Sequence, residues 1–403
     1  MAPVTHNRGR AGGRLALAAV GTITALGLAG CGFGGGDDEP APTEETAAPV
    51  DAAPLLEKAL TDLADYPALT ADGQVAPSVG GDVQEATMTV ADGGATNGTV
   101  RANGVEAELV AADSKIFLRA GEEFWLDKNV FGPDSDQFDG TWVRSSTAQA
   151  GINPQNTLAP PALSAILQEI GLEGEDAVEE TLDDTRAYRL DLNGERNQVW
   201  IDAETEQLLR IEIEELVPEG AEKGPQVRLD IARADEAAAE ELYDTLTTLT
   251  EEELTDSRDA RIEVSWDGQP QMECADGPHC TWSGTVHDAG ASGSGTVLVR
   301  MDVTFTQEQI GDETCTDSGS LEAGGTLALS CDANYNIVTA EPKTYEDIQG
   351  EARLSTRGLS GGQQEEMLAA LTEQREATLS GDAEESEGAE ASEGTEAEET
   401  EGE

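Results

Sequence analysis

Between residues 105 and 231 the chain repeatedly alternates apolar and polar side chains with a period of two. Val105, Ala107, Leu109 and Ala111 interleave with Glu106 and Glu108, and Tyr188, Leu190 and Leu192 with Arg189 and Asp191. The same holds for Leu209, Ile211 and Ile213 against Arg210, Glu212 and Glu214, and for Val227, Leu229 and Ile231 against Arg228 and Asp230. Successive side chains of a strand point to opposite faces, so the pattern predicts an antiparallel sheet with one apolar and one wet face. The apolar face needs a cover. Two stretches of helical period supply candidates: 54–64, where Leu55, Leu56, Ala59, Leu60 and Leu63 share a side and Pro67 stops the run, and 161–170, where Leu163, Ile166, Leu167 and Ile170 do. A third helix is expected over about 236–254.

A second pattern begins near Arg258. Short strand-like runs at 262–266, 281–286, 296–306 and 326–331 are separated by Gly-rich turns at 290–295 and 324–325, then followed by a strand over 351–357 and a helix over about 363–375. Together with four cysteines, this predicts a small disulfide-bearing β-sandwich. From Glu376 to Glu403 the chain is mostly Glu, Ala, Gly, Ser and Thr. Such a composition cannot bury enough apolar surface to offset ordering, so a disordered acidic tail is expected.

The N-terminus carries a different kind of signal. Arg8, Arg10 and Arg14 precede an apolar run from Leu15 to Leu28, and Leu28-Ala29-Gly30-Cys31 resembles a bacterial lipobox. The resemblance implies removal of 1–30 as a lipoprotein signal peptide and diacylglyceryl modification of Cys31, which becomes the first mature residue. Two acyl chains at ~0.8 kcal/mol per buried CH₂ hold a protein on a bilayer where one chain is marginal. An ordinary secretory signal with an incidental cysteine is the alternative. Residues 31–50 are rich in Gly, Pro, Thr and acid and read as a flexible linker. No later run is apolar and long enough to span a membrane, which places the rest of the chain on the extracytoplasmic face. The expected division is therefore 51–256 and 257–375 as folded domains, with 376–403 as the tail.

Charge narrows the partners. With 82 acidic and 23 basic residues the net charge is -59, which argues against nucleic acid and against charge-driven binding to anionic lipid. Partners should be neutral, cationic or apolar. The chemistry-bearing motifs mostly have plainer readings. Leu359-Ser360-Gly361-Gly362-Gln363 spells the signature of transporter ATPases, but no GxxxxGK[ST] loop accompanies it, so Ser360 is expected to cap the last helix. Cys274, His279, Cys280 and His287 form a permitted zinc ligand set, yet their spacing lacks the paired short gaps of known fingers. Disulfides are expected instead; of the three pairings, the local one, Cys274 with Cys280 and Cys315 with Cys331, is chosen. Asn97-Gly98-Thr99 reads as a hairpin turn. No Gly-x-Ser-x-Gly elbow is present, and the acidic tail lacks the spacing of a calcium loop. Neither cofactor nor metal is expected, and the chain is read as no enzyme, although a carboxylate pair remains open where acids are so abundant.

The runs Asp113 to Trp125 (DSKIFLRAGEEFW), Thr141 to Val143 (TWV) and Val199 to Glu214 (VWIDAETEQLLRIEIE) resemble the strand, short hairpin and strand, and the later hairpin, of the LppX/LprAFG family of actinobacterial lipoproteins. About half the chain is covered, with the region from Arg258 outside it. The resemblance implies an α+β, LolA-like antiparallel half-barrel roofed by helices around an apolar cavity for acyl chains of envelope lipids. Leu109, Leu118, Leu190, Ile211, Ile213 and Leu229 are the candidate lining residues; a filled core is the alternative reading of the same list. The expected function is a membrane-anchored, non-enzymatic lipoprotein that binds a lipid or glycolipid. The competing expectation is a structural or adhesive surface lipoprotein whose second domain binds a protein or wall polymer, and a hydrolase using acidic residues comes third.

Overall fold

In a computed structural model of the chain, the described residues are 50–390, without 129, 131–134, 275–278, 291–292, 309 and 336–347. Cys31 and most of the linker, together with 391–403 of the acidic tail, lie outside them. Strand β1 (Val50–Asp51) leads into α1 (Ala52–Ala64), whose first turn is capped by the Asp51 carboxylate accepting from the Ala53 N–H at 3.1 Å. Five antiparallel strands follow: β2 (Ala68–Ala76), β3 (Gln84–Ala91), β4 (Thr96–Ala102), β5 (Val105–Ala112) and β6 (Lys115–Ala120). Next come α2 (Glu122–Asp127), β7 (Trp142–Ser145), α3 (Thr147–Ala150), α4 (Pro154–Thr157) and α5 (Pro160–Ile170). A second run comprises β8 (Asp176–Leu182), β9 (Thr185–Asp191), β10 (Gln198–Asp202), β11 (Leu208–Ile213) and β12 (Gln226–Ala234), closed by α6 (Glu236–Glu252) and β13 (Arg258–Asp259).

These strands form one open sheet of 13, in the order β1-β8-β9-β10-β11-β12-β2-β3-β4-β5-β6-β7-β13. Only the β7–β13 pair is parallel. Sequential hairpins give this order, and the long return from β12 to β2 joins the two runs edge to edge. At about 4.8 Å between neighbours a flat sheet of this size would be about 58 Å wide. Helices α1 and α5, at about 1.5 Å per residue, are about 20 and 16 Å long. Yet Leu118, Leu109, Met88, Leu229, Ile211 and Leu190, drawn from strands across its width, are all buried in one cluster with those helices. The sheet must therefore curve around its cover. Ser164 of α5 ties the roof together by donating to the Leu60 carbonyl of α1 at 2.7 Å.

The opposite face departs from the expected wet surface. Val110, Ala112, Phe117 and Trp142 point outward and are buried beneath Leu242, Tyr243 and Leu246 of α6. Met367 and Leu371 of α7 (Gly361–Glu390) complete that layer. Charge stays exposed on the outer side of β9–β12, where Arg210 pairs with Asp183 at 2.7 Å and also with Asp230. The expected end of the last helix near Arg375 is also revised. Helix α7 continues, and Thr378 is only 5% exposed. The Tyr243 hydroxyl and Thr378 Oγ1 share a hydrogen bond at 3.0 Å, and Thr378 also hydrogen-bonds the Asp92 carboxylate in the β3–β4 turn. Burial pushes the Tyr243 hydroxyl up to about 12. Composition hid this segment because its anchoring is one polar network rather than an apolar stripe. Arg375 adds ion pairs to Asp244 at 2.7 Å and Glu240 at 2.8 Å.

The region from Val264 builds two further sheets. One holds β14 (Val264–Trp266), β15 (Gln271–Cys274), β16 (His279–Asp288) and β19 (Thr326–Asn334); the other is β18 (Gly311–Glu322), β17 (Thr296–Gln307) and β20 (Gln349–Arg357). Both contribute to one apolar core around Val299, Met301, Phe305, Leu329 and Leu354. Cys274–Cys280 staples a hairpin, and Cys315–Cys331 joins β18 to β19 across the sheets. The latter closes a separation of 16 residues, worth about 3 kcal/mol in the chain-entropy account. Strand β18, missed in the sequence, reads GDETCTDSGSLE; edge exposure on one side makes apolar alternation unnecessary. Ser360 does cap α7, its Oγ accepting from the Gln363 N–H at 3.2 Å.

Thr378→Val keeps the shape of the side chain but leaves the Tyr243 hydroxyl and Asp92 without their partner. The expected loss is about 1–3 kcal/mol in urea unfolding; an unchanged midpoint would show that the network does not hold α7.

Candidate functional site

The inner face of the curved sheet is laid out in rows by strand register. One row runs Leu118, Leu109, Gly98, Met88, Ala71, Ile231. The next runs Leu190, Val199, Ile211, Leu229, Gly73, Ala86, Val100 and Ala107. A third is Ile213, Val227, Val75 and Gln84. All six candidate lining residues therefore share this face, and each is at most 1% exposed. They are not one patch. Leu109 and Leu118 pair at one side, while Leu190, Ile211, Ile213 and Leu229 gather at the other. Ala71, Gly73, Ala86 and Gly98 lie between them.

The small residues in the middle have a backbone cause. A Cβ on Gly98 would sit 2.2 Å from the Thr87 carbonyl oxygen and 2.8 Å from Met88 Cα. Gly73, with φ of 149°, would place one 2.3 Å from the Arg228 carbonyl. Both strands approach their neighbours too closely for a side chain, as a tightly curled sheet requires. This overturns the hairpin-turn reading of Asn97-Gly98-Thr99. The three residues lie inside β4, paired on both sides with β3 and β5.

Short elements sit at both strand ends, α2 at the Ala102–Val105 end and α3 at the Ile116–Ser145 end. The expected strand at Phe124 and Trp125 is instead α2, where Gly121 is extended and Glu122 and Glu123 occupy the first turn, a favourable place for negative charge. Phe124 and Trp125 are buried and meet edge to face at 5.5 Å, with Phe138 5.8 Å from Trp125. Asn103 in the β4–β5 turn donates to Asp127 at 2.6 Å, which fixes α2 against that end. Lys128 stacks 5.4 Å from the Phe124 ring centroid. Burial lowers its ammonium below the usual lysine range, opposed by Asp127 and Asp82. After β7, Ser146 and Gln149 form a capping box, and α3 ends at Gly151 in the left-handed region.

Two clefts with polar walls lie away from the six candidates. One of about 580 Å³ is lined by Tyr66, Arg233, Asp65 and Asp92, and one of about 400 Å³ by Glu106, Glu108 and Arg119. Burial raises the Tyr66 hydroxyl, with the Arg233 guanidinium 5.3 Å from its ring acting the other way. Among the described residues no group of three or more His, Cys, Asp or Glu side chains could hold a metal ion. No helix there is long and apolar enough to cross a membrane.

No family model matches the chain, and no curated protein matches it. Among solved structures, LprF from Mycobacterium bovis is 12% identical over 45% of this chain and 90% of that one, with a TM-score of 0.28. MucB in complex with MucA(peri) is 13% identical over 79% of this chain and 97% of that chain, with a TM-score of 0.22. The Pseudomonas aeruginosa MucA/MucB complex gives 12%, 79%, 97% and 0.22. Scores this low mark a remote likeness.

Gly98→Ala forces its Cβ into the Thr87 carbonyl and should cost about 1–3 kcal/mol in urea unfolding. A neutral result would mean that the close approach of β3 and β4 is not required.

Proposed function

We propose that this protein is a lipid-anchored, extracytoplasmic binding protein, non-enzymatic, whose curved sheet and roof receive the apolar part of an envelope lipid or lipoconjugate. The observation that supports this reading best is the inner face itself. Two groups of large aliphatic side chains flank middle strands in which Ala71, Gly73, Ala86 and Gly98 stand beside Met88 and Val75, all buried and uncharged, under short helices. Apolar area leaving water contributes ~25 cal/mol per Å², so acyl chains that enter between the sheet and its roof would be held without contact to a charged headgroup. A net charge of -59 fits this, because the exterior would repel anionic headgroups at long range. Diacylglyceryl-Cys31 and the linker would tether the folded part to the membrane and let it move between bilayer and wall. The region from Val264 would then serve as a contact surface for a protein or wall partner.

The test is displacement of a neutral fluorescent probe, N-phenyl-1-naphthylamine, by long-chain lipid. Wild-type protein should show saturable, displaceable binding, and Ile211→Trp or Leu229→Trp should weaken it about tenfold by filling the space. Probe binding that no long-chain lipid displaces would sink the reading. Unchanged affinity in both variants would move the ligand away from the β11–β12 side.

A further inference from the structure

The cleft of about 580 Å³ carries two opposite charges that do not pair with each other. It lies where α1 stops, bounded by Asp62, Asp65 and Tyr66 at the end of that helix, Asp92 of the β3–β4 turn and Arg233 of β12. Two of its three carboxylates are engaged, Asp62 by Lys58 at 3.4 Å and Asp92 by Thr378. Asp65 and Arg233 are exposed, and among the described residues neither side chain has an ion pair or hydrogen bond. Elsewhere in this acidic chain arginines close ion pairs, as Arg210 does with Asp183 and Arg375 with Asp244. An arginine that shares a cleft with three carboxylates and pairs with none of them leaves a gap between charges. A second observation falls on the same wall. The Tyr66 hydroxyl is buried without a hydrogen-bond partner, a rare state in folded proteins, and the residue is 2% exposed. Of the buried side-chain atoms in that state, it is the one whose residue lines either cleft. Its surroundings belong to the cleft: the Arg233 guanidinium lies 5.3 Å from the ring, and after burial the charges that act on the hydroxyl are Arg233 and Asp62.

These groups select a ligand class. An apolar molecule would strip water from Asp65 and Arg233 and replace none of it. An anion meets three carboxylates against one guanidinium, and a simple cation leaves Arg233 and Tyr66 without partners. A molecule bearing both charges meets both needs and is not repelled by a chain of net charge -59. The C-terminal end of α1, with no basic side chain in its last turn, favours a positive group beside Asp65. The volume falls within the range of about 300–1,000 Å³ usual for small-molecule sites. We infer that this cleft binds a small zwitterion, an α-amino acid or a short peptide with free ends. The ligand ammonium donates to Asp65. Its carboxylate accepts from Arg233 and, as that side chain turns off the ring, from the Tyr66 hydroxyl. None of the wall residues belongs to the inward apolar rows, so the site stands apart from the lipid-binding reading and does not depend on it.

The experiment is a set of saturation-transfer NMR titrations on the full folded chain with L-alanyl-L-alanine, its methyl ester, which lacks the carboxylate, and its N-acetyl form, which lacks the ammonium. The free dipeptide should bind saturably and about tenfold or more tighter than either blocked form. Arg233→Gln should erase the preference over the methyl ester, and Asp65→Asn the preference over the N-acetyl form. Tyr66→Phe should weaken the dipeptide about fivefold without lowering the urea midpoint, because the hydroxyl has no partner in the fold to lose. L-alanine in the same titration separates the two sources: affinity equal to that of the dipeptide assigns a free amino acid, and weaker binding assigns a peptide. An ester that binds at least as tightly as the free dipeptide is only a cation drawn to an acidic surface, and overturns the inference. So do the absence of saturable binding, preferences that survive Arg233→Gln and Asp65→Asn, and a midpoint that falls in Tyr66→Phe.

Discussion

Burial of one long apolar sheet face beneath too little helix is the constraint on which the rest of the structure depends. The inner rows run across nine of the thirteen strands, β9–β12 and β2–β6, and α1 and α5 can roof only part of a flat sheet that wide. Curvature resolves the mismatch, since rolling the sheet brings the β5–β6 and β9–β12 sides toward the same helices. Rolling in turn requires close strand approach at β2–β12 and β3–β4. Glycine meets that need at 73 and 98, where a Cβ would run into the neighbouring strand's backbone. The curvature of the sheet and the placing of its inward glycines are thus two consequences of one packing problem.

The outer face obeys a different rule. Helices α6 and α7 cover its β2–β7 part, fastened by contacts that tolerate a highly acidic chain. Glu253 accepts from Trp142 Nε1 at 2.8 Å and from Arg119 at 2.7 Å, and Arg375 gathers two α6 carboxylates. The second region is stitched on similarly. Thr356 of β20 exchanges hydrogen bonds with the Asp259 backbone, each at 2.9 Å, while Asp259 pairs with Arg261 at 2.7 Å. Scarce arginines are placed where elements meet, so that the acidic surface is bridged at its joints.

Much of this was legible in the sequence where one physical signal dominated. Alternation around Leu109, Leu190, Ile211 and Leu229 placed those residues on one buried face, and helical spacing located α1 and α5 within two residues. Local loop closure identified both disulfides. Legibility failed where tertiary contact outweighed local pattern. Gly98 looks like a turn because its neighbours are Asn and Thr, but its role is set by the strand across from it. Phe124 and Trp125 follow a strand and sit in a helix, because Gly121 and two glutamates start one there. Gln84 carried no signal at all; a lone glutamine before an alternating run reads as solvent-facing until the register shows it ending an aliphatic row.

The central claim is that the space under the roof is made to be filled by lipid. Native mass spectrometry with lipid extraction, on the form beginning after Cys31 and expressed in an actinobacterial host, tests it most directly. The account predicts a stoichiometric adduct that extraction identifies as acyl lipid and that stays with the part carrying the thirteen-stranded sheet. Bare protein mass under conditions that preserve other noncovalent lipid complexes would contradict it.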